Sequence, residues 1–264
     1  MLFLIALYLL LGACAGLIAG LFGLGGGIII VPVLIFSFQA QGMSADILTH
    51  VAVGTSLATI IVTSISSVRM HHTKRGVLWP LFWPLAAGIC LGAVVGVKTA
   101  GMLSGSNLQL LIGCFAILIA IQMAFGLKPK PGRSAPAGPW LGVAGGFIGW
   151  GSAIFGIGGG SLTVPYLSWN NVKMQQAVGT AAACGFPIAI IGALTNVQQG
   201  WGNPQLMEWS LGFVYLPAFC GIILTSAVFA RFGARLAHQL PAELLKRIFA
   251  LLLFCVGLRF LLAN

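Results

Sequence analysis

The sequence predicts an all-α polytopic membrane protein made of two inverted-topology repeats. It predicts roughly eight to ten transmembrane segments, two of them short or broken helices after glycine motifs. Three observations carry this. The 264 residues are 59% hydrophobic and 6% charged, with mean hydropathy +1.04, so charged side chains are too few to face a soluble core toward water. Phe22-Gly-Leu-Gly-Gly-Gly-Ile-Ile-Ile-Val-Pro-Val-Leu34 returns 133 residues later as Phe155-Gly-Ile-Gly-Gly-Gly-Ser-Leu-Thr-Val-Pro-Tyr-Leu167, identical at 8 of 13 positions. The loops that are basic in one half are neutral in the other.

The elements follow from the apolar runs. Leu2–Phe22, Ile47–Val68, Val77–Val97, Leu108–Leu127, Val172–Leu194, Trp209–Ala230 and Ile248–Ala263 are the spanning candidates, most of them near the ~20 residues that cross a hydrocarbon core. Leu2–Leu11 followed by Leu11-Gly-Ala-Cys14 has the look of a lipoprotein leader, but no Lys or Arg precedes it, so it is expected to stay as the first helix. After each glycine motif comes a short arm, Ile28–Phe38 and Ser161–Trp169, about 10 residues or ~15 Å of helix. Each arm is either a half-helix that returns to its own side or a tilted crossing.

Smaller echoes extend the repeat. Gly12, Gly16 and Gly20 correspond to Gly145, Gly149 and Ala153; Ala52-Val-Gly-Thr55 returns as Ala177-Val-Gly-Thr180; Pro84 and Gly88 are aligned with Pro217 and Gly221. The expected halves are 1–127 and 139–264, joined by a Pro-rich basic linker, 128–138, solvated on the cytoplasmic side.

Charge sets the direction of each half. Arg69–Arg75 carries Arg69, Lys74, Arg75 and two histidines, while the next turn, Ala100–Asn107, is uncharged. In the second half Asn196–Met207 is uncharged and Arg231–Arg247 is basic. Basic loops stay cytoplasmic, so equivalent loops lie on opposite sides and the repeat is inverted. The net charge of +10 is thereby explained without nucleic acid. Lys98 and Arg259 read as snorkelling cations, and Trp79, Trp83, Trp140, Trp201 and Trp209 as interfacial anchors.

Broken helices at matching positions of two halves point to the substrate site of a secondary transporter. Glycine runs weaken helices but let a backbone approach a ligand, and a helix restarting after a break offers free N–H groups and a positive dipole end to an anion. The candidate substrate-binding residues are therefore Gly25, Gly26, Gly27, Gly158, Gly159 and Gly160, with hydroxyls of Thr55, Ser56, Ser161 and Thr180 completing the site. Pro32 and Pro165 are expected in the first turn or so of the arms. The four-spaced glycines, including Gly88, Gly92 and Gly96, read instead as helix packing. No Gly-Lys-Ser/Thr follows either motif, so a phosphate loop is excluded.

Only Asp46, Glu208 and Glu243 are acidic, all near segment ends, so carboxylate proton coupling is not expected. His50, His71, His72 and Asp46 are the possible relays, and the histidines read more readily as surface residues. The six cysteines are dispersed singly, which suits small buried hydrophobes rather than a metal or disulfides. No catalytic residues, metal or cofactor are expected, and the chain is not expected to be an enzyme.

With these residues in view, the chain resembles the TauE/SafE family of sulfite exporters. The twin Phe-Gly-[Leu/Ile]-Gly-Gly-Gly-…-Val-Pro-x-Leu segments, the Ala-Val-Gly-Thr repeats and the His71-His-Thr-Lys-Arg-Gly76 turn carry the resemblance, which covers the whole chain. It implies a multi-pass transporter of the bacterial inner membrane whose partners are the lipid bilayer and a small anion: sulfite, an organosulfonate or a related sulfur-containing or carboxylate anion. Export would run downhill for an anion against an inside-negative potential, by about 2.3 kcal/mol per charge per 100 mV. An anion channel or an uptake permease of the same fold is the alternative, and homo-oligomers are compatible with either.

Overall fold

The computed structural model describes residues 2–22, 27–73, 75–125, 138–237 and 242–262. Ten helices run in order among them: α1 (Leu2–Phe22), α2 (Gly27–Ala40), α3 (Ala45–Thr73), α4 (Trp79–Gly101), α5 (Gly105–Ala124), α6 (Trp140–Ile154), α7 (Gly160–Trp169), α8 (Met174–Gly200), α9 (Leu216–Ala237) and α10 (Ala242–Leu262). The protein is an all-α polytopic membrane protein. Among the described residues α3, α4, α5 and α8 are long and apolar enough to cross a bilayer, and α1, α9 and α10 contribute the shorter apolar stretches Ala6–Leu17, Leu216–Ser226 and Ala250–Leu262. The 128–138 linker lies almost wholly outside the described residues.

Local chemistry places the helix ends. Pro80 occupies the first turn of α4, where its missing N–H costs no helical hydrogen bond. The Ser104 hydroxyl caps α5 by accepting from the Asn107 N–H at 3.3 Å. The run expected to cross from Trp209 begins instead as a hairpin of β1 (Ser210–Leu211) and β2 (Val214–Tyr215). Trp209 and Gly212 have φ of 67° and 53°, and a Cβ on Gly212 would run into the Val197 backbone. The chain therefore folds back on the end of α8 before α9 starts.

The arms are short helices, as expected. At 14 and 10 residues, α2 and α7 are about 21 and 15 Å long, less than the ~30 Å hydrocarbon core. Pro32 and Pro165 lie inside these helices, one turn deeper than expected. Neither can donate to the carbonyl four residues back, on Ile28 and Ser161.

Glycines govern how the long helices meet. On α4, a Cβ at Gly88 would strike the Gly142 carbonyl, one at Gly92 the Gly146 carbonyl, and one at Gly96 the Trp150 carbonyl, all on α6. On α6, Gly145 and Gly149 lie on the Leu85 and Ile89 backbone. The same contact recurs between α1 and α9, with Gly12 on Ile222 and Gly16 on Ser226. Backbones this close are the small-residue packing that membrane helices use.

These pairs also correct the repeat alignment. Gly12 and Gly145 meet Ile222 and Leu85, and α9 and α4 carry Pro217 and Pro80 as their second residues. In the fourth segment Pro217 therefore matches Pro80 rather than Pro84, and Gly221 matches Pro84 rather than Gly88. Pro217 lies 37 residues after Thr180 whereas Pro80 lies 25 after Thr55, and the hairpin occupies the extra length before α9.

Helices α3 and α8 run antiparallel through the centre, with Gly54 against Asn196, Leu57 against Gly192 and Ser64 beside Gly185. The two ends are held by different contacts. Ala45 meets Gly105, His50 meets Ala100, and Gln199 meets Gly101 at one end. At the other, Gly76 and Leu78 dock on Gly179 and Thr180, at the end of α3 that carries Arg69, His71 and His72.

Candidate functional site

The second glycine motif separates two helices by a defined turn. Helix α6 ends with Gly156 at φ 63°. The Ile157 N–H donates to the Ser152 carbonyl at 3.0 Å and the Gly156 N–H to the Ala153 carbonyl at 3.4 Å, the paired bonds of a Schellman ending. Gly156 is needed for its left-handed backbone, and a Cβ there would also meet Val31 Cγ2 at 2.8 Å. Gly156→Ala is expected to lower stability by about 1–2 kcal/mol, read as a lower unfolding midpoint of the purified protein.

Four residues after Gly156, α7 begins, without a side-chain cap. The Thr163 N–H bonds the Gly159 carbonyl at 2.9 Å, while the N–H groups of Gly160, Ser161 and Leu162 have no acceptor among the described residues. Gly159 is held against α8: a Cβ there would lie 2.7 Å from the Ala181 carbonyl and 2.8 Å from the Gly185 nitrogen. Gly158 has ordinary room, its nearest neighbour being Ile60 Cγ2 at 3.6 Å. The three glycines are therefore not equivalent. Gly159 serves packing, and Gly158 leaves space beside the restart of α7.

Gly25 and Gly26 lie outside the described residues. Gly27, the first residue of α2, is brought onto the second motif, where a Cβ would meet Ile60 Cδ1 at 2.7 Å, Ile157 Cα at 3.0 Å and the Gly156 carbonyl at 3.1 Å. The Ser56 hydroxyl ties α3 to the same place by donating to the Gly156 carbonyl at 2.8 Å. Ile60 is close to the midpoint of α3, about 20 Å from either end, so Gly27 meets the second motif near the middle of that helix. Ile60 lies against both Gly27 and Gly158.

Thr55 and Thr180 do something else in each half. The Tyr215 N–H donates to Thr55 Oγ1 at 3.0 Å, and the Leu78 N–H donates to Thr180 Oγ1 at 2.9 Å. The preceding glycine explains the motif: a Cβ on Gly54 would strike the Phe213 carbonyl, and one on Gly179 the Gly76 carbonyl. Each Ala-Val-Gly-Thr is thus a cradle. Its glycine admits a carbonyl of the segment entering α9 or α4, and its threonine holds the N–H two residues on. Each hydroxyl keeps its own O–H to donate, polarised by the bond it accepts.

Ser161 is half-buried, whereas Ser152 and Thr163 are 0% exposed and their hydroxyls have no partner among the described residues. Ser152 was not singled out because it lies in a run of small residues, Gly149-Trp-Gly-Ser-Ala153, that reads as packing surface. The burial of His50 corrects the surface reading. It is 7% exposed, with Nε2 donating to the Ala100 carbonyl at 3.1 Å and its ring 5.4 Å from that of Phe213. Hydropathy could not reveal this, because the partners are 50 and more residues away.

The sequence profile of the family described as "Sulfite exporter TauE/SafE" matches residues 8–260. A probable membrane transporter protein of Haemophilus influenzae is 37% identical over 259 residues, covering 98% of both chains. A probable membrane transporter protein of Methanocaldococcus jannaschii is 26% identical, covering 99% of this chain and 97% of its own. No solved structure matches.

Proposed function

Because this chain belongs to the TauE/SafE sulfite exporter family, we propose that it is a secondary transporter that exports a small anion across the bacterial inner membrane. The anion is sulfite, an organosulfonate or a related sulfur-containing or carboxylate anion. It binds where the two glycine breaks meet. Backbone N–H groups at the breaks make the main contacts and hydroxyls of Thr55, Thr180 and Ser161 assist, while Ser56 positions the second break by donating to the Gly156 carbonyl. The two halves, 1–127 and 139–264, are inverted repeats that rock against each other to expose the site to either side.

One observation carries this reading. Gly27 abuts Gly156 and Ile157 beside the middle of α3, close in sequence to the uncapped start of α7. A helix start with free N–H groups is stabilised by negative charge. The carrier reading is favoured over a channel by Ile60, whose side chain lies against both breaks. An open pore would keep that junction wet, whereas a carrier closes it.

Gly158→Ala tests the placement. The added methyl has ordinary room beside Ile60, so the fold should survive while the methyl intrudes on the space before α7. Labelled sulfite or alkanesulfonate efflux from proteoliposomes is expected to fall about tenfold or more, on the scale of one lost charge-assisted hydrogen bond, with the unfolding midpoint little changed. Full flux in a correctly folded Gly158→Ala protein would place the anion elsewhere.

A further inference from the structure

Resting on the carrier reading, we infer that Gln41, Tyr8 and Ser37 latch the first arm at the external end, and that this conformation opens to the cytoplasm beside the second arm. The two arms are repeat partners, yet they are packed differently. From Gly27 to Phe38, α2 is buried at every residue except Val33 and Phe36. In α7 only Thr163 and Leu167 are buried. Local opening is cheap where few apolar contacts must be given up. Arm α7 is therefore the one free to move, and α2 the one held.

Polar and aromatic contacts hold it. Just past the tip of α2, Gln41 Nε2 donates to the Tyr8 hydroxyl at 2.6 Å and to the Ser37 hydroxyl and carbonyl, each at 3.0 Å. Tyr8 belongs to α1 and is wholly buried. Its ring lies edge-on to Tyr215 with centroids 6.0 Å apart, and Phe38 of α2 lies edge-on to the same ring at 5.6 Å. Tyr8 also sits against Gly221 of α9. Arm α2 is thus fastened to the α1–α9 pair and to the hairpin before α9. The residues that match Tyr8 and Ser37 in the second half are Leu141 and Asn170. Leucine offers no oxygen, and the Asn170 amide donates to the Tyr166 carbonyl of its own helix at 2.8 Å. The latch belongs to one half, whereas the glycine–threonine cradles occur in both.

The arms themselves give the direction. Arm α2 leads into Ala45, the start of α3, whose other end carries Arg69, His71 and His72. Basic ends stay in the cytoplasm, so the latch is external. Arm α7 leads into Met174, the start of α8, on the side where Gly76 and Leu78 dock. In an inverted repeat access alternates as one half moves against the other, and here the external arm is seated while the cytoplasmic arm is loose. Release of the anion outside requires the Gln41 bonds to break. These three are positioning residues of the transport cycle, not contacts to the anion.

The test uses the purified full-length protein in proteoliposomes. Hydrogen exchange read by mass spectrometry is expected to be at least about tenfold slower across 27–40 than across 160–169 in wild type. Equal exchange in the two arms overturns the inference. Tyr8→Phe keeps the ring and removes the acceptor. It should speed exchange across 27–40 about fivefold, the scale of one net hydrogen bond, leave 160–169 unchanged, and raise the maximal rate of labelled sulfite or alkanesulfonate efflux. A merely structural loss would not speed transport, so efflux that stays level or falls while α2 loosens overturns the latch, as does exchange across 27–40 that does not change. Should Tyr8→Phe fail to fold, Gln41→Met, at a half-buried position, is judged by the same readouts. Wild type that exports neither anion overturns the transport reading, and the exchange pattern then decides the latch by itself.

Discussion

Gly92→Leu is expected to leave no correctly folded protein, whereas Gly146→Ala, across the same interface, should fold as wild type does. A Cβ at Gly92 would collide with the Gly146 carbonyl and lie 2.9 Å from the Trp150 nitrogen. Those are backbone atoms of α6 that cannot rotate away. A leucine there forces α4 and α6 apart along a contact that Gly88 and Gly96 also need. Overpacking a tight core costs about 1–3 kcal/mol and sometimes more, and helix association in lipid depends on close van der Waals contact. At Gly146 the nearest atom to an added Cβ is the Gly88 carbonyl at 3.9 Å, an ordinary contact. Alanine there should also gain about 1 kcal/mol of helix propensity. Detergent-solubilised yield of monodisperse protein reads both outcomes. A folded Gly92→Leu protein would mean that α4 and α6 separate without harm.

The second large effect is expected from the two cradles. Thr55→Val and Thr180→Val keep side-chain shape but remove the oxygen that accepts the Tyr215 and Leu78 N–H groups. A buried donor left without an acceptor costs about 1–3 kcal/mol. Each single variant should lower the unfolding midpoint by this measure, and the double variant should lose about the sum, since the two cradles hold different helix starts. Thr55→Ser and Thr180→Ser should recover most of it. The measurement is thermal unfolding without added anion, which separates this structural role from any contact with substrate. Midpoints unmoved by the double variant would show that water or a neighbouring group satisfies both N–H groups.

The cradles show what can be read from a motif and what cannot. That Ala52-Val-Gly-Thr55 and Ala177-Val-Gly-Thr180 matter is visible from their repetition. That the threonines hold the chain entering the fourth helix of the opposite half is not. Their partners lie 160 and 102 residues away, and no local pattern encodes such a distance. The glycine motif divides similarly. Sequence locates the break and the arm after it, but Gly156, Gly158 and Gly159 look alike until a neighbour is placed on each. One then proves to need a left-handed backbone, one has room, and one is pressed on α8.

Membrane residence, helical class, the position of both breaks and the packing role of the four-spaced glycines follow from consecutive residues, because hydrophobic length and small-residue periodicity are properties of a single segment. The meeting of Gly27 with the second motif, the shift that pairs Pro217 with Pro80, the burial of His50 and the stranded hydroxyls of Ser152 and Thr163 emerge when distant segments pack. A hydroxyl has the same formula whether or not an acceptor comes within 3 Å of it, and the approach of other helices settles which.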